Sequence, residues 1–548
     1  MRTLRLLALA ALPLAVVGVF FALPVGAMVA RGLFAEGSFD PGALLDVLGR
    51  ERTGRILGFT LWSAALGTAL SVLLGLPAAH VLHRLDLPGV RLARGLLLVP
   101  FVLPTVVVGA AFRALLADGG PLGFLGWEGS SAAIVAALVF FNVSVVVRVV
   151  GASWATLDPR PAEAAAALGA SPLRVLTTVT LPALRPAIVS AAAVVFLFCS
   201  TAFGVVLTLG GQRHATVETE IYLLTRAFDL PAAACLSLVQ VLGVVALLVV
   251  LGRLRADGPD AAAVGRRPVA PRRPRRPDVP ALVVTGLVGV ASAVPVLALV
   301  TTSLRVRGEW TLANYRALSG VDEDSPVLVP VTQALRNSLQ TAADATWMAL
   351  LLGGLVAVVL TRRPRGRGER AVRSVLDGFF MLPLGVSAVV LGFGLLVTVA
   401  RPPLALRDEP LLVPLVQALV ALPLVVRTLV PVLAGIDDRQ RQAAASLGAS
   451  PAQTLLVVDL PVAWRPVLAA GGFAFAASLG EFGATSFLAR PDHPTLPVVV
   501  ARLLGTPGVT GAQSNPGTAM AGAVVLAATV TVVVLAVERL RVPSTGAL

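Results

Sequence analysis

Few side chains in this chain of 548 residues stand where they could do chemistry, and their types already narrow what that chemistry is. Glu481 lies in the apolar stretch Ser478-LGEFGATSFLARPDHPTL-Pro497. An ionisable group inside a membrane costs at least about 2.5 kcal/mol on insertion scales, so such a residue carries a functional expectation by default. Glu481 could line a path for a cation, tie parts of a gate together, or sit hydrogen-bonded at a helix interface beside Ser478 and Ser486. Asp344 is the other acid in apolar sequence, and its position near a span end suits a solvated carboxylate. His80, His83, His214 and His493 are too scattered to form a ligand set, so no metal site is expected. Cys199 and Cys235 fall inside apolar runs and read as buried small side chains rather than a disulfide or a metal site. All 44 basic residues are arginine. Without lysine there is no phosphate-binding P-loop, whose lysine contacts the β- and γ-phosphates, so any ATP hydrolysis belongs to another chain.

The other unusual residues come in a pair of segments: Glu163-AAAALGASPLRVLTTVTL-Pro182 returns as Gln442-AAASLGASPAQTLLVVDL-Pro461. Each begins with helix formers from Glu163-Ala164 or Gln442-Ala443, then places Gly169 or Gly448 where a helix end favours positive φ. Ser171-Pro172 and Ser450-Pro451 then read as an N-cap followed by proline at the first helical position. A second helix is predicted to run to Thr180, stopped by Leu181-Pro182, with Leu460-Pro461 as the matching stop. The segment has no histidine, cysteine or facing carboxylates, and no catalytic cluster appears elsewhere, so an enzyme is not expected. A small-residue helix suits docking into a groove on a partner, or it is a plain interfacial helix. Two copies on one face suit a partner that is itself two-fold symmetric.

These segments need a membrane framework. The chain is 56% hydrophobic and 14% charged, and about 20 mainly apolar residues make one membrane crossing. Windows near 6–30, 56–80, 95–116, 131–154, 187–210, 231–252, 279–303, 337–360, 374–400, 411–435, 467–488 and 516–537 predict an all-α integral membrane protein with about twelve transmembrane helices. On these boundaries Glu481 lies about 14 residues, or roughly 21 Å, into its span. The opening MRTLRLLALA begins an apolar run too long for a signal peptide, so no cleaved leader is expected. With the N-terminus inside, one side holds 27 arginines and the other 15, which places both termini and both repeated segments in the cytoplasm. The basic balance is thus topological, and no nucleic-acid partner is expected.

Adding 279 to a first-half number finds its second-half counterpart: Leu103-Pro104 and Leu382-Pro383, Arg148 and Arg427, Gly169 and Gly448, Phe203-Gly204 and Phe482-Gly483. This offset implies a tandem duplication, with one transmembrane repeat over 1–252, an Arg/Pro-rich cytoplasmic linker over 253–278, and a second repeat over 279–548. Six spans per repeat give both halves the same orientation, with a path between them. Pro104 and Pro383 are expected to kink the third and ninth spans, or to serve packing alone, while Arg148 and Arg427 snorkel to the headgroups or brace the repeated segments.

The spacing Glu163-Ala-Ala, Gly169, Val179-x-Leu181-Pro182 resembles the EAA loop of the membrane-spanning subunits of bacterial ATP-binding-cassette importers, and the second copy departs from it in Gln442. The resemblance implies that Glu163, Ala164, Gly169, Ser171, Leu181 and Pro182, with Gln442, Ala443, Gly448, Ser450, Leu460 and Pro461, couple the membrane part to a partner ATPase dimer. It also implies an extracytoplasmic substrate-binding protein, lipid around the spans, location in the cytoplasmic membrane, and alternating access. No cofactor is bound by this chain on this reading; ATP and Mg belong to the ATPase. Two fused six-span halves look like the permeases for thiamine and for ferric iron. Leu209-GGQRHATVETEI-Tyr222 and the stretch around Glu481 are more similar to the thiamine type. Glu481 and Phe482, with Phe203 in the first half, become the candidates for path or gate, and Ala202 stands where a second acid would be. Ferric iron is the alternative cargo, and an ion-coupled secondary transporter is the rival class.

Overall fold

The computed structural model describes residues 2–35, 38–39, 41–210, 213–256, 269–321, 326–362, 366–399, 402, 404–505 and 515–540. Gly211 and Gln212 of the thiamine-like stretch and residues 257–268 of the Arg/Pro-rich stretch lie outside them. Apart from two two-stranded hairpins, the described chain is helical, as a backbone that must satisfy its own hydrogen bonds in lipid requires. Leu61 and Leu73 on the helix Glu51–Arg84 are 59% and 66% exposed, which suits a lipid-facing stripe.

Among the described residues ten helices are long and apolar enough to cross a membrane, and an eleventh crossing results if one bent pair is counted as a single span. About twelve spans were expected, with proline kinks in the third and ninth, and it is these two that are not continuous helices. The third breaks by 101° between Val90–Val102 and Thr105–Leu116, because Pro104 forces Leu103 into an extended conformation with ψ 136°. The ninth divides into Arg367–Met381, a 3₁₀ turn at Leu382–Gly385 containing Pro383, and the short helix Ala388–Val397. Prolines expected to kink these spans break them.

The chain sorts into two compact units. One comprises residues 48–220 and 242–314. In it, Glu51–Arg84 runs along Ser131–Ala155, Leu181–Ser200 packs against both, and Val279–Ser303 covers Glu51–Arg84 and Thr105–Leu116. The other comprises residues 1–47, 221–241 and 315–548. Here Val331–Thr361 runs along Leu412–Ala434 with Leu460–Gly480 against both, and the chain's first helix, Arg2–Val17, packs on Val331–Thr361. Each unit thus takes its first span from the other sequence repeat, an exchange that repeat boundaries alone do not reveal. Glycine permits the close helix contacts: a Cβ on Gly75 would lie 2.7 Å from Val146, and one on Gly353 would lie 2.6 Å from Val425, the valine's counterpart. Cys199 and Cys235 are both buried, as their apolar setting suggested.

The end of the Arg/Pro-rich stretch is docked on the first-described unit. Arg272 pairs in a parallel bridge with Leu85, its N–H donating to the Arg84 carbonyl at 2.9 Å and its carbonyl accepting from Asp86 N–H at 2.7 Å. Its guanidinium grips the buried Asp278 carboxylate through both oxygens at 2.8 Å, and His80 Nε2 lies 3.0 Å from Asp278 Oδ1. The start of Val279–Ser303 is thereby tied to the end of Glu51–Arg84.

Candidate functional site

The two repeated segments fold alike, and the local chemistry explains each turn. In the first, Asp158 Oδ1 accepts from Arg160 N–H at 3.0 Å to start the helix Arg160–Ala167; in the second, Asp437 Oδ1 accepts from Arg439 N–H at 2.9 Å to start Asp438–Ser446. Gly169 and Gly448 then take φ of 84° and 86°. Around them the same pair of bonds closes each helix, Gly169 N–H to Ala166 O and Ala170 N–H to Ala165 O, with Gly448 to Ala445 and Ala449 to Ala444 in the copy. Ser171 Oγ caps the next turn at Arg174 N–H, and Ser450 and Gln453 form a reciprocal capping box. Glu163, Ala164, Gly169, Ser171 and Pro182 are exposed, as are Gln442, Ala443, Gly448, Ser450, Leu460 and Pro461, while Leu181 is half-buried. Between them sit two residues that the sequence alone did not single out. Leu168 and its counterpart Leu447 are each 90% exposed, two apolar knobs presented at the tips of the turns.

The helix beyond each turn does not stop where Leu-Pro predicts. Pro172–Ser200 and Ala452–Gly480 are each one continuous helix of 29 residues, not a short helix ending before Leu-Pro. The proline is absorbed by a π-turn, Leu176–Thr180 in the first copy and Leu455–Asp459 in the second, whose wider i to i+5 bonding accommodates the ring and the missing N–H. At 1.5 Å per residue each shaft is about 43 Å long, enough to carry a displacement from the turn across a bilayer.

Both shafts end at the Phe-Gly pairs. After Ser200 the chain breaks and restarts as Gly204–Gly210; after Gly480 it breaks and restarts as Thr485–Leu488. Phe203 and Phe482 are buried at these breaks. The glycines are needed for close approach: a Cβ on Gly204 would collide with the Thr105 hydroxyl, and one on Gly483 would lie 3.0 Å from Ala388 Cβ. Each break in a shaft therefore packs against the restart of a proline-broken span.

Glu481 is not inside a span in the outer half of the bilayer, as the predicted boundaries had it, but is the first residue past the helix end, because the shaft starts and finishes earlier than hydropathy suggested. Its carboxylate is turned onto its own chain. Oε1 accepts from Ala484 N–H at 2.8 Å, and Oε2 accepts from Thr485 N–H at 3.0 Å and from the Thr485 hydroxyl, which also accepts from Gln417 Nε2 at 3.1 Å. It caps donors that the break would otherwise leave bare. Ser478 Oγ and Gln417 Oε1 are buried without a hydrogen-bond partner. The corresponding first-half residue, Ala202, accepts through its carbonyl from Thr216 Oγ1 at 3.2 Å. Asp344 is half-buried and takes a 3.4 Å bond from Trp347 Nε1; Arg148 is half-buried and Arg427 exposed.

Besides Asp278, three acids among the described residues that the sequence did not mark as candidates are also buried. Glu218 is fully buried, and Glu220 makes a bidentate pair with Arg52 at 2.6 and 2.8 Å. Asp459 lies in the second π-turn, where the first copy has Thr180, a difference visible in the sequence but silent without its partners.

A family model described as "Binding-protein-dependent transport system inner membrane component" matches residues 71–256 and 349–542. The thiamine transport system permease protein of Brucella abortus (strain 2308) is 27% identical over 497 residues, covering 88% of this chain and 87% of that protein. Its namesake in Escherichia coli (strain K12) is 29% identical over 479 residues, covering 82% of this chain and 83% of that protein. The molybdenum transport system permease protein of Mycobacterium bovis is 41% identical over 202 residues, covering 35% of this chain and 74% of that protein.

Proposed function

Because the chain belongs to the inner-membrane component family of binding-protein-dependent transport systems, we propose that it is the membrane pathway of an ATP-driven importer for thiamine or its phosphate esters. The observation that carries the mechanism is the pair of matched turns, each presenting an exposed leucine and each continuous with a 29-residue helix. An ATPase dimer docks one subunit on each turn, through Glu163 to Pro182 and through Gln442 to Pro461. Its closure moves the shafts, and the breaks at Phe203-Gly204 and Phe482-Gly483 convert that motion into gate opening. Both turns and both termini face the cytoplasm on this reading, an extracytoplasmic binding protein delivers the cargo, and ATP and Mg stay on the ATPase. Glu481 serves as a strut of the gate, since its oxygens are already committed to the chain around them.

Thiamine is favoured by the two relatives matched over more than four-fifths of this chain, both of which are named for it. The molybdenum relative matches about a third of the chain and supports the half-permease architecture rather than a cargo. None of these relatives is named for ferric iron. The deciding experiment is uptake into vesicles holding this chain with its ATPase and binding protein, offered labelled thiamine, ferric iron or molybdate. ATP-dependent accumulation of thiamine alone is expected. Accumulation without the ATPase would reject the importer reading, and accumulation of either other solute would replace the cargo.

A further inference from the structure

The two coupling turns differ in how they are held. In the second, the buried Asp459 carboxylate joins three elements: Oδ1 accepts from Arg441 Nε on the helix Asp438–Ser446, and Oδ2 accepts from Arg362 Nη2 at the end of Val331–Thr361, both at 2.7 Å. The side chains of Asp459, Arg441 and Arg362 are 2%, 10% and 24% exposed. Arg441 reaches further, donating to the Leu433 carbonyl at 2.8 Å and to Asp438 Oδ1 at 3.0 Å, which adds the end of Leu412–Ala434. The residue after Arg441 is Gln442, the start of the repeated motif.

In the first copy the corresponding residues, 279 earlier, are His83, Ala162 and Thr180. These supply no carboxylate and no guanidinium; Arg84, the next residue, donates to the Leu157 and Trp154 carbonyls at 3.3 and 3.5 Å, but among the described residues no buried carboxylate joins it to the first turn as Asp459 does in the second. His83 Nδ1 instead faces the Ala79 carbonyl of its own helix, and the whole first π-turn has no buried residue. Charge-assisted bonds in a site this dry are directional and shielded from screening, so the second turn is fixed to its bundle at three points.

We propose that Asp459, Arg441 and Arg362 are positioning residues that clamp the second coupling turn to its bundle, leaving the first turn freer, so that the two strokes delivered by a symmetric ATPase dimer are transmitted unequally. The functional half of this statement rests on the importer reading; the clamp itself does not. The loss of the glutamate at Gln442 fits it, since a turn held from behind relies less on a charged contact at its face.

Hydrogen exchange of the intact chain in lipid nanodiscs without the ATPase tests the clamp directly, needing no mutation. Amides of 438–447 should exchange at least tenfold more slowly than those of 160–168, and equal rates would overturn the proposal. The variant D459T/R441A/R362H, which copies the first turn's residues into the second, should bring the two rates within threefold of one another. With the ATPase and binding protein added, this variant should still bind the ATPase but hydrolyse severalfold more ATP per thiamine delivered. Equalised exchange with an unchanged ATP-to-thiamine ratio would overturn the coupling role. Should the variant not fold, the wild-type rates decide the clamp, and the conservative D459E, expected to keep most of the protection, decides the need for the carboxylate. Absence of ATP-dependent uptake by the wild-type chain would instead reject the importer reading and leave the exchange result standing.

Discussion

Replacing the turn glycines by alanine isolates the backbone's contribution to coupling. Gly169 and Gly448 have φ of 84° and 86°, and a Cβ built on either meets no atom within 4 Å. Steric contact therefore adds nothing, and the cost of Gly→Ala is that of holding an L-residue in the left-handed region, about 1–2 kcal/mol. That lowers the population of the docking-ready turn by about 5- to 30-fold, and the apparent affinity for the ATPase by the same factor. Asparagine tolerates this region, so G169N and G448N should recover most of the loss. Binding of the solubilised permease to immobilised ATPase measures the effect, with membrane levels as a folding control. Binding by G169A within twofold of wild type, or G169N as weak as G169A, would refute the reasoning.

The same geometry predicts the outcome of four further perturbations. L168D and L447D should leave the protein folded in the membrane but remove most ATPase binding, because the change falls on side chains 90% exposed; a loss of membrane protein instead would show these leucines to be structural. E481Q replaces one of two accepting oxygens with an NH₂ group facing a backbone N–H, which should cost about 1–3 kcal/mol and lower the melting temperature along with uptake. T485V, which removes the hydroxyl that donates to Glu481 Oε2, should reproduce part of that loss if Glu481 is a strut, and none of it if Glu481 contacts cargo. Separate expression of 1–252 and 279–548 should yield little stable protein from either alone and recover function on co-expression, since each compact unit takes a span from the other repeat. Stable halves expressed singly would contradict that exchange.

Much of the repeated turn was legible because its determinants are local. A glycine that must be left-handed, a Ser-Pro cap and a helix-forming alanine run act within a few residues, and the constant 279-residue offset exposed them twice. The Leu-Pro pair misled for an equally local reason: proline usually ends a helix, but a π-turn lets it be swallowed, and hydropathy does not register an extra residue in a turn. Pro104 and Pro383 erred in the other direction, since neighbouring elements at Gly204 and Gly483 stabilise complete breaks rather than kinks.

By itself, then, the sequence determined that this chain is a helical membrane protein, that it is duplicated, and that each half carries one exposed helix–glycine–helix turn, because apolar length, repeat spacing and turn chemistry are written in consecutive residues. Tertiary structure alone decided which unit each first span joins, that the Glu481 oxygens are spent on capping a break, and that Asp459 finds Arg441 and Arg362. The clamp depends on partners from about 20 to 100 positions away, brought together only when apolar faces pack, and in a low-dielectric interior the partner decides whether a buried charge is a site, a strut or a clamp.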